Sequence, residues 1–226
     1  MNREWSLILD FDSTIITAES LDILSEISLN KNKNKKSVIS KIKYLTNLGM
    51  EGKISFQESI QKRISLLESN KSHIRTLSEN LIEFISPSFL KNKEWISKYN
   101  ESIYVISGGF RDTLLKTCNE LNIKPGNIFG NSFQYDSFDY ICGIDNNNYL
   151  SKTNGKVHQI QALGINNKII AVGDGKTDAE IKNIGENVTF LGYTENIART
   201  YVVDNCDMVV KSFDDVIDFM ENQQLI

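Results

Sequence analysis

The pattern of hydrophobic and polar positions changes character twice along the chain. Residues 7–9 form a short apolar run without polar alternation, which predicts a strand buried on both faces of a parallel sheet. From there to residue 85, apolar side chains recur at helical spacing and no stretch has the pattern of a strand. This block predicts helices over residues 19–27, 39–48, 56–67 and 74–85.

Strand and helix patterns alternate after Pro87. Short apolar runs predict strands over 103–106, 168–172, 188–191 and 208–210, with helices over 89–99, 110–121, 156–163, 178–184, 197–203 and 213–220. The aromatic, turn-punctuated sequence between 128 and 144 predicts a small hairpin or flap. The alternation predicts an α/β fold, a doubly wound, Rossmann-like parallel sheet with right-handed crossovers. We expect residues 1–16 and 86–226 to form this core, and residues 17–85 to form a helical insertion after the first strand.

Composition narrows the possible partners. The 226 residues carry a net charge of −4 at pH 7, which argues against general binding to nucleic acid or to an anionic membrane. No apolar run approaches the length of a membrane span and the N-terminus lacks a signal-peptide pattern, so we expect a cytoplasmic protein. The basic, asparagine-rich run 30–36 would suit a nucleic-acid arm, but in an acidic protein we interpret it as a solvated linker.

The cysteines and histidines indicate no metal site of their own. Cys118, Cys142 and Cys206 are scattered and have no C-x-x-C spacing, so we interpret them as small core residues in a reducing compartment. His73 and His158 lack a partner at metal-ligand spacing, which favours structural or exposed positions.

Two carboxylates directly follow the first strand. Side chains at i and i+2 of an extended chain share a face, so Asp10 and Asp12 should converge at the carboxyl end of that strand. Ligands bind at this end in open α/β sheets. Two carboxylates repel each other, so a divalent cation, a lysine or both should join them. Taken alone, the pair equally suits a solvated turn at the end of a strand.

A hydroxyl and two glycines follow the second predicted strand, in the order Ser107-Gly108-Gly109. The bare backbone N–H groups of the glycines suit a phosphate, although glycines at such a turn also occur for geometric reasons alone. Lys156 begins a predicted helix, and taken alone it would be a surface lysine. A site with several aspartates and a phosphate dianion nevertheless needs fixed positive charge.

A second pair of aspartates follows the strand predicted over 168–172. Asp174 lies at the strand tip and Asp178 on the first turn of the next helix, and their hard oxygen atoms suit Mg²⁺. An N-cap in a glycine turn would explain one of these aspartates but not both. Metal ligation would fall to the side chains of Asp10 and Asp174 and to the backbone carbonyl of Asp12. Asp178 would act through water or by orienting its neighbours.

Together these residues make one mechanism of phosphoryl transfer. Asp10 would attack phosphorus, and Mg²⁺ would offset the repulsion between its carboxylate and the phosphate. Asp12 would protonate the leaving alkoxide and then accept a proton from the hydrolytic water. Ser107, the backbone N–H groups near Gly108 and Lys156 would hold the phosphoryl oxygens.

Four segments, in this order, resemble the motifs of the haloacid dehalogenase superfamily and, within it, closely those of the phosphoserine phosphatases. The segments are Asp10-Phe11-Asp12-Ser13-Thr14, Ser107-Gly108-Gly109, Lys156, and Gly173-Asp174-Gly175 with Asp178. Each is weak alone, but all four at these separations are specific, and the resemblance covers nearly the whole chain. It implies a helical cap over 17–85 and Mg²⁺-dependent hydrolysis of L-phosphoserine through an aspartyl-phosphate, with Thr14 in a supporting role.

The insertion is similar to the cap segment of that family at Met50, Phe56, Ser59 and Arg63. The resemblance implies that Arg63 binds the substrate carboxylate and that Glu19 accepts the substrate ammonium. Met50 and Phe56 would form an apolar wall over the site. Without the resemblance, Arg63 would be interpreted as an exposed helix residue and Phe56 as a core anchor.

The opposite charges of Glu19 and Arg63 fit the two ends of a zwitterion, which favours an amino acid phosphate as the small-molecule substrate. Thr177 lies where relatives carry asparagine or threonine, and it would contact the phosphate or the amino-acid end of the substrate. We expect a monomer or a homodimer without a nucleic-acid or membrane partner.

Two alternatives stay open. The same machinery would serve another small phosphomonoester, or would transfer phosphate to an alcohol. A phospho-accepting signalling module would also place an acidic cluster on a doubly wound sheet, but such modules are usually far shorter and lack a helical cap.

Overall fold

The computed structural model describes residues 4–30 and 32–226. Its strands are β1 Trp5–Leu9, β2 Ile103–Phe110, β3 Ile128–Asn131, β4 Phe133–Tyr135, β5 Ile141–Ile144, β6 Lys168–Gly173, β7 Val188–Tyr193 and β8 Met208–Val210. Its helices are α1 Ser20–Ser28, α2 Lys35–Met50, α3 Phe56–Ile64, α4 Lys71–Asn80, α5 Pro87–Lys91, α6 Lys93–Tyr99, α7 Arg111–Glu120, α8 Gly155–Ala162, α9 Lys176–Ala179, α10 Thr200–Asn205 and α11 Phe213–Asn222. No helix within 4–30 or 32–226 has the length and apolarity that crossing a membrane requires.

Six strands form one parallel sheet in the order β3-β2-β1-β6-β7-β8. This confirms the predicted doubly wound α/β fold. β1 lies between β2 and β6, with Leu9 opposite Val105 on one side and Val172 on the other. Because these strands are parallel, the loops after β1, β2 and β6 open at the same edge of the sheet, and the reversal of strand order beside β1 leaves a crevice there.

β1 is buried on both faces, as its unbroken apolar run predicts. Leu7 and Leu9 pack in one hydrophobic cluster, and Ile8 packs in the other. Helices α5, α6, α7 and α11 contribute to the first cluster through Phe89, Ile96, Leu114 and Phe213. Helices α8, α9 and α10 contribute to the second through Ile160, Ala179 and Val202. The site at the end of β1 therefore lies on a strand held from both sides.

The chain leaves the sheet before α1 and returns to it after α4 at the same place. Ile16 pairs with Ile85 in an isolated antiparallel bridge, and the Thr17 N–H donates to Phe84 O at 2.8 Å. This bridge lies at the predicted boundary between core and cap, while the division into two domains stays a prediction.

The hairpin of β4 and β5 is antiparallel and hydrogen-bonds to the helical insertion. The Ile141 N–H donates to Ser69 O at 2.8 Å, and the Lys71 N–H donates to Asp139 O at 3.1 Å. The strand before it, β3, is not part of the hairpin. It pairs in parallel with β2, with Ile128 opposite Val105, and thus extends the main sheet.

Several predicted helix boundaries were wrong, for local reasons. The predicted helix 89–99 is two helices, α5 and α6, which are separated at Asn92; both the side chain (2.9 Å) and the backbone N–H (3.2 Å) of Asn92 donate to Ser88 O. The predicted helices 74–85 and 178–184 end early and continue as tighter 3₁₀ turns over Leu81–Phe84 and Glu180–Ile184. The predicted helix 197–203 begins at Thr200.

The basic run 30–36 is only partly a linker, because α2 begins at Lys35; Lys31 lies outside the described residues. At the start of α3, the Ser55 hydroxyl accepts the Glu58 N–H (3.1 Å) and caps the helix, and the Glu58 carboxylate pairs with Lys62 at 2.6 Å. The interpretation of the cysteines as core residues holds for Cys118 but is wrong for Cys142. Cys142 lies on the solvent face of the two-stranded hairpin and is exposed.

Both histidines have the positions expected of them. His73 Nδ1 accepts the Asn70 N–H at 3.3 Å and so helps to cap α4. His158 is exposed against the ring of Tyr149.

Candidate active site

The turn after β1 brings the first two aspartates into one site. The Asp10 N–H continues the sheet by donating to Val172 O at 2.9 Å. The chain then turns sharply, because Asp12 is extended and Ser13 adopts a left-handed conformation (φ 54°, ψ 6°) that is unusual for a residue other than glycine. The Asp12 carboxylate accepts the N–H of Ser20 (3.0 Å) and its hydroxyl (2.9 Å).

All of the residues predicted as catalytic or substrate-binding line a single enclosed cavity. They are Asp10, Asp12, Glu19, Met50, Phe56, Arg63, Ser107, Gly108, Gly109, Lys156 and Thr177. Leu21, which the sequence did not single out, lines it as well. The cavity has a volume of ≈ 20 Å³, which is enough for about one water molecule. The structure is therefore a closed form of the site.

Three carboxylates meet beneath this cavity. Oxygen atoms of Asp10, Asp174 and Asp178 lie within 4.8 Å of one another. Burial raises the pKa of Asp174 to about 7, and the nearby Glu19 and Asp10 add to the shift. Burial likewise raises the pKa of Asp178 to about 8, with Asp10 as the next cause. A buried cluster of hard oxygen ligands with unfavourable like charges has the chemistry that suits a divalent cation.

Lys156 places a positive charge between two of these carboxylates. Its Nζ lies 2.8 Å from Asp10 Oδ1 and 2.5 Å from Asp178 Oδ1. Burial alone would lower the pKa of the Lys156 ammonium, but the two carboxylates outweigh burial and raise it. Asp178 also accepts the Gly175 N–H at 3.0 Å, so it holds both the lysine and the loop that carries Asp174.

Arg199 is a site residue that sequence reasoning missed. Its Nε donates to Asp174 Oδ2 at 2.8 Å and its Nη2 donates to Glu19 Oε1 at 3.2 Å. Arg199 belongs to no motif, so only its position in the loop after β7 could have indicated it. That loop opens at the same edge of the sheet as the loops that carry the aspartates.

The cap side of the cavity carries one free donor. Arg63 is 5% exposed and its Nη1 donates to Thr46 Oγ1 at 3.1 Å. Its Nε has no hydrogen-bond partner among residues 4–30 and 32–226. Burial lowers the pKa of Arg63, although Glu19 and Asp22 oppose that shift. Burial raises the pKa of Glu19 against the effect of Arg199 and Arg63. A buried, charged donor without a hydrogen-bond partner is costly.

Two glycines in the motifs at the strand ends contact side chains of the helical insertion. A Cβ atom built on Gly108 would lie 2.6 Å from the Phe56 ring, and one on Gly175 would lie 3.2 Å from Met50 Sδ. On the cap side, Gly52 has a φ of +70° and packs against the alkyl chain of Lys176. A side chain at Gly108 would therefore require the Phe56 ring to move.

The residues predicted to hold phosphate lie where β2 ends. β2 continues through Ser107, Gly108 and Gly109 to Phe110, with an irregular register after Ile106, so this segment is strand rather than the predicted turn. Ser107 Oγ accepts the Gly109 N–H at 3.0 Å. Thr14, predicted as a supporting residue, places its hydroxyl 3.4 Å from Asp174 Oδ1.

Comparison with known proteins agrees with this geometry, although no protein-family model matches the chain. Human phosphoserine phosphatase is 25% identical over 219 residues, which cover 96% of this chain and 93% of that protein. The phosphoserine phosphatase of Lactococcus lactis is 28% identical over 199 residues, 78% of each chain. A phosphoserine phosphohydrolase-like protein from Francisella tularensis superposes with a TM-score of 0.84 at 29% identity, covering 95% of this chain and 99% of that one. This chain is similar to the phosphoserine phosphatases over nearly its whole length.

The predicted resemblance is thereby confirmed, and with it the predicted enzyme class, a phosphatase. A phosphoserine phosphatase solved as an analogue of its phospho-aspartyl intermediate shares the fold at 23% identity, with a TM-score of 0.73. The roles of individual residues stay predictions.

Proposed function

We propose that this phosphatase hydrolyses L-phosphoserine to serine and phosphate through an aspartyl-phosphate on Asp10, with Mg²⁺ as cofactor. The observation that carries the proposal is the pair of opposite charges, Glu19 and Arg63, in the closed cavity that also contains Asp10 and Lys156. The similarity to curated phosphoserine phosphatases supports the same substrate.

The pair of charges matches the amino-acid end of phosphoserine. The free Nε of Arg63 would donate to the substrate carboxylate, a charge-assisted bond that removes the cost of leaving this donor buried and unpaired. The Glu19 carboxylate, already oriented by the Ser13 hydroxyl at 2.8 Å, would accept the substrate ammonium. Met50 and Phe56 would exclude water around both contacts.

The proposed reaction consists of two displacements at phosphorus. A carboxylate oxygen of Asp10 forms a bond to phosphorus as the phosphorus–ester oxygen bond breaks, and Asp12 donates a proton to the leaving serine oxygen. Water then attacks the phosphorus of the aspartyl-phosphate and passes a proton to Asp12, which releases phosphate and restores Asp10. Lys156, the Ser107 hydroxyl and the backbone N–H near Gly108 would stabilise the charge on the phosphoryl oxygens.

The carboxylate cluster fits the proposed magnesium ion. The side chains of Asp10 and Asp174 and the backbone carbonyl of Asp12 would hold it, with Asp178 in support. When bound, Mg²⁺ offsets the repulsion between the Asp10 carboxylate and the phosphate dianion. The cytoplasmic location and the monomeric or homodimeric state stay predictions from the sequence.

A panel of phosphomonoesters tests the proposal. We expect repeated phosphate release from L-phosphoserine with Mg²⁺, slower release from phosphothreonine, and least from phosphoethanolamine, which has no carboxylate for Arg63. Chelation by EDTA and Asp10→Asn should each abolish turnover, whereas Asp204→Asn, at an exposed position of α10, should not. Preference for a phosphomonoester without an amino-acid end would favour the alternative substrate class. Labelling of the protein without repeated release would indicate a phospho-accepting switch.

A further inference from the structure

The amide of Asn196 holds the turn that carries Asp12. Asn196 lies in the loop between β7 and α10, and its Nδ2 is 3.1 Å from Ser13 O, 3.1 Å from Thr14 O and 3.2 Å from Ile16 O. A fourth oxygen, Ser86 Oγ, lies at 2.8 Å, so the two hydrogens of the amide are shared among four oxygens. Three of these acceptors are backbone carbonyls, which cannot donate, so the nitrogen of the amide must face the turn.

The turn is held by backbone hydrogen bonds as well as by Asn196. Ser13 is in the left-handed region, and the Ser13 N–H to Ala18 O (3.1 Å) and the Ile16 N–H to Phe11 O (3.1 Å) are two of these bonds. The carbonyls on the other side of the turn bond to Asn196, and Thr14 O also accepts the Ser86 hydroxyl at 3.0 Å.

The loop that presents Asn196 is itself fixed to the core. The neighbouring Glu195 carboxylate accepts the Ser88 N–H (3.3 Å) and the hydroxyls of Ser88 and Tyr193. Three residues further on, Arg199 bonds to Asp174 and Glu19. Asn196 is thus a rigid point of support for the turn and not part of a freely moving loop.

We propose that Asn196 is a positioning residue for the proton transfer by Asp12. The proposal rests on the proposed function, in which Asp12 donates a proton to the leaving alkoxide. Proton donation needs the Asp12 carboxyl within hydrogen-bond reach of the ester oxygen, and the dihedral angles of Ser13 and its neighbours set that reach. Asn196 touches neither substrate nor reacting atoms and acts only through the turn.

The test uses the dependence of the rate on the leaving group. An alkyl phosphate such as phosphoserine requires protonation of its leaving oxygen, whereas 4-nitrophenyl phosphate releases a stable phenolate that requires none. The readout is kcat/KM, which reports only the steps up to departure of the first product. For Asn196→Asp and Asn196→Ala, we expect the ratio of kcat/KM for phosphoserine to that for 4-nitrophenyl phosphate to fall by about 10²-fold, in line with the usual contribution of a general acid.

Asn187→Asp is the matched control, because its exposed amide also donates to a backbone carbonyl, Asn167 O at 2.8 Å, at the other end of the sheet. It should leave the ratio unchanged. An unchanged ratio in the Asn196 variants, whether both activities are retained or both fall equally, would overturn the inference. Ser86→Ala tests the same turn if the Asn196 variants fail to fold, and we expect a smaller fall in the same ratio.

Two outcomes separate this inference from the proposed function. If the wild-type protein releases phosphate from neither substrate, the proposed function fails. The support of the turn is still tested in that case, because hydrogen exchange at the Ser13 and Ile16 amides should be faster in Asn196→Asp than in Asn187→Asp. If the wild-type protein is active and exchange at both amides is unchanged, Asn196 does not hold the turn.

Discussion

Arg199 Nε donates to Asp174 Oδ2 at 2.8 Å, and the same guanidinium reaches Glu19 at 3.2 Å. One arginine from outside the motifs therefore pairs with two carboxylates that are expected to have different tasks, cation binding for Asp174 and ammonium binding for Glu19. When neither a metal ion nor a substrate ammonium is bound, Arg199 is the main counter-charge for Asp174 and Glu19, because Lys156 pairs with Asp10 and Asp178.

We expect Arg199→Gln to lower Tm in EDTA and to increase the stabilisation that Mg²⁺ provides. Removing one partner of a buried ion pair costs about 3–5 kcal/mol, or on the order of 10 °C for a chain of this size. Added Mg²⁺ should raise the Tm of the variant more than that of wild type, because it replaces the lost counter-charge. Scanning fluorimetry measures both shifts, with the exposed Arg75→Gln as control. An equal Mg²⁺-induced shift in variant and wild type would contradict the prediction.

Arg63→Ala should lose activity selectively on phosphoserine. We expect kcat/KM for phosphoserine to fall by roughly 10²–10³-fold, because a charge-assisted contact and a buried partner are lost together. The fall for 4-nitrophenyl phosphate, which has no carboxylate, should be less than about 3-fold. Arg63→Lys should recover part of the loss, since it keeps the charge without the planar donor geometry. Similar losses on the two substrates would show that Arg63 does not bind the carboxylate.

Gly108→Ala should prevent the cap from closing. The added Cβ would lie 2.6 Å from the Phe56 ring, so we expect KM for phosphoserine to rise by about 10-fold or more. Gly126→Ala is the control, because a Cβ there would meet nothing within 4 Å. Combining Gly108→Ala with Phe56→Ala should cost less than the two single effects added together, because the clash no longer exists. Additive effects in the double variant would argue against the contact.

Asp22→Asn should change how stability depends on pH. Burial raises the pKa of Asp22, with Arg63 and Lys43 opposing the shift. A carboxyl whose pKa is raised on folding contributes its full stability below the unfolded-chain pKa of about 4, and this is lost as the pH rises through the folded value. Asparagine keeps the oxygen that accepts the Thr46 hydroxyl and does not ionise. The difference in Tm, variant minus wild type, should therefore increase from about pH 4 to neutrality. Curves of Tm against pH that run parallel for the two proteins would refute this.

The sequence predicted those parts of the site that depend on local chemistry at strand ends. β1 could be predicted because both of its faces are apolar, and the parallel sheet then required the loops after β1, β2 and β6 to meet. The residues from the cap came only from the resemblance. Helical periodicity alone gave no reason to place Arg63, 5% exposed in the structure, over the site.

Arg199 and Asn196 were missed because the partners that bring them to the turn after β1, Glu19 for Arg199 and Ile16 O for Asn196, each lie 180 residues away in the chain. An arginine and an asparagine near a helix start have ordinary solvent-exposed roles, and nothing in their local sequence distinguishes the buried case. The helix boundaries failed because apolar periodicity does not show where an α-helix tightens into a 3₁₀ turn, as it does over Leu81–Phe84.

The ≈ 20 Å³ volume of the closed cavity has a kinetic consequence. A molecule the size of phosphoserine enters only those copies of the protein in which Phe56 has moved off Gly108. The observed dissociation constant is then the intrinsic constant divided by the fraction of ligand-free protein in which this contact is open. Products leave through the same event, so the frequency of opening, rather than the number of contacts to the ligand, sets the upper limit on the rate of turnover.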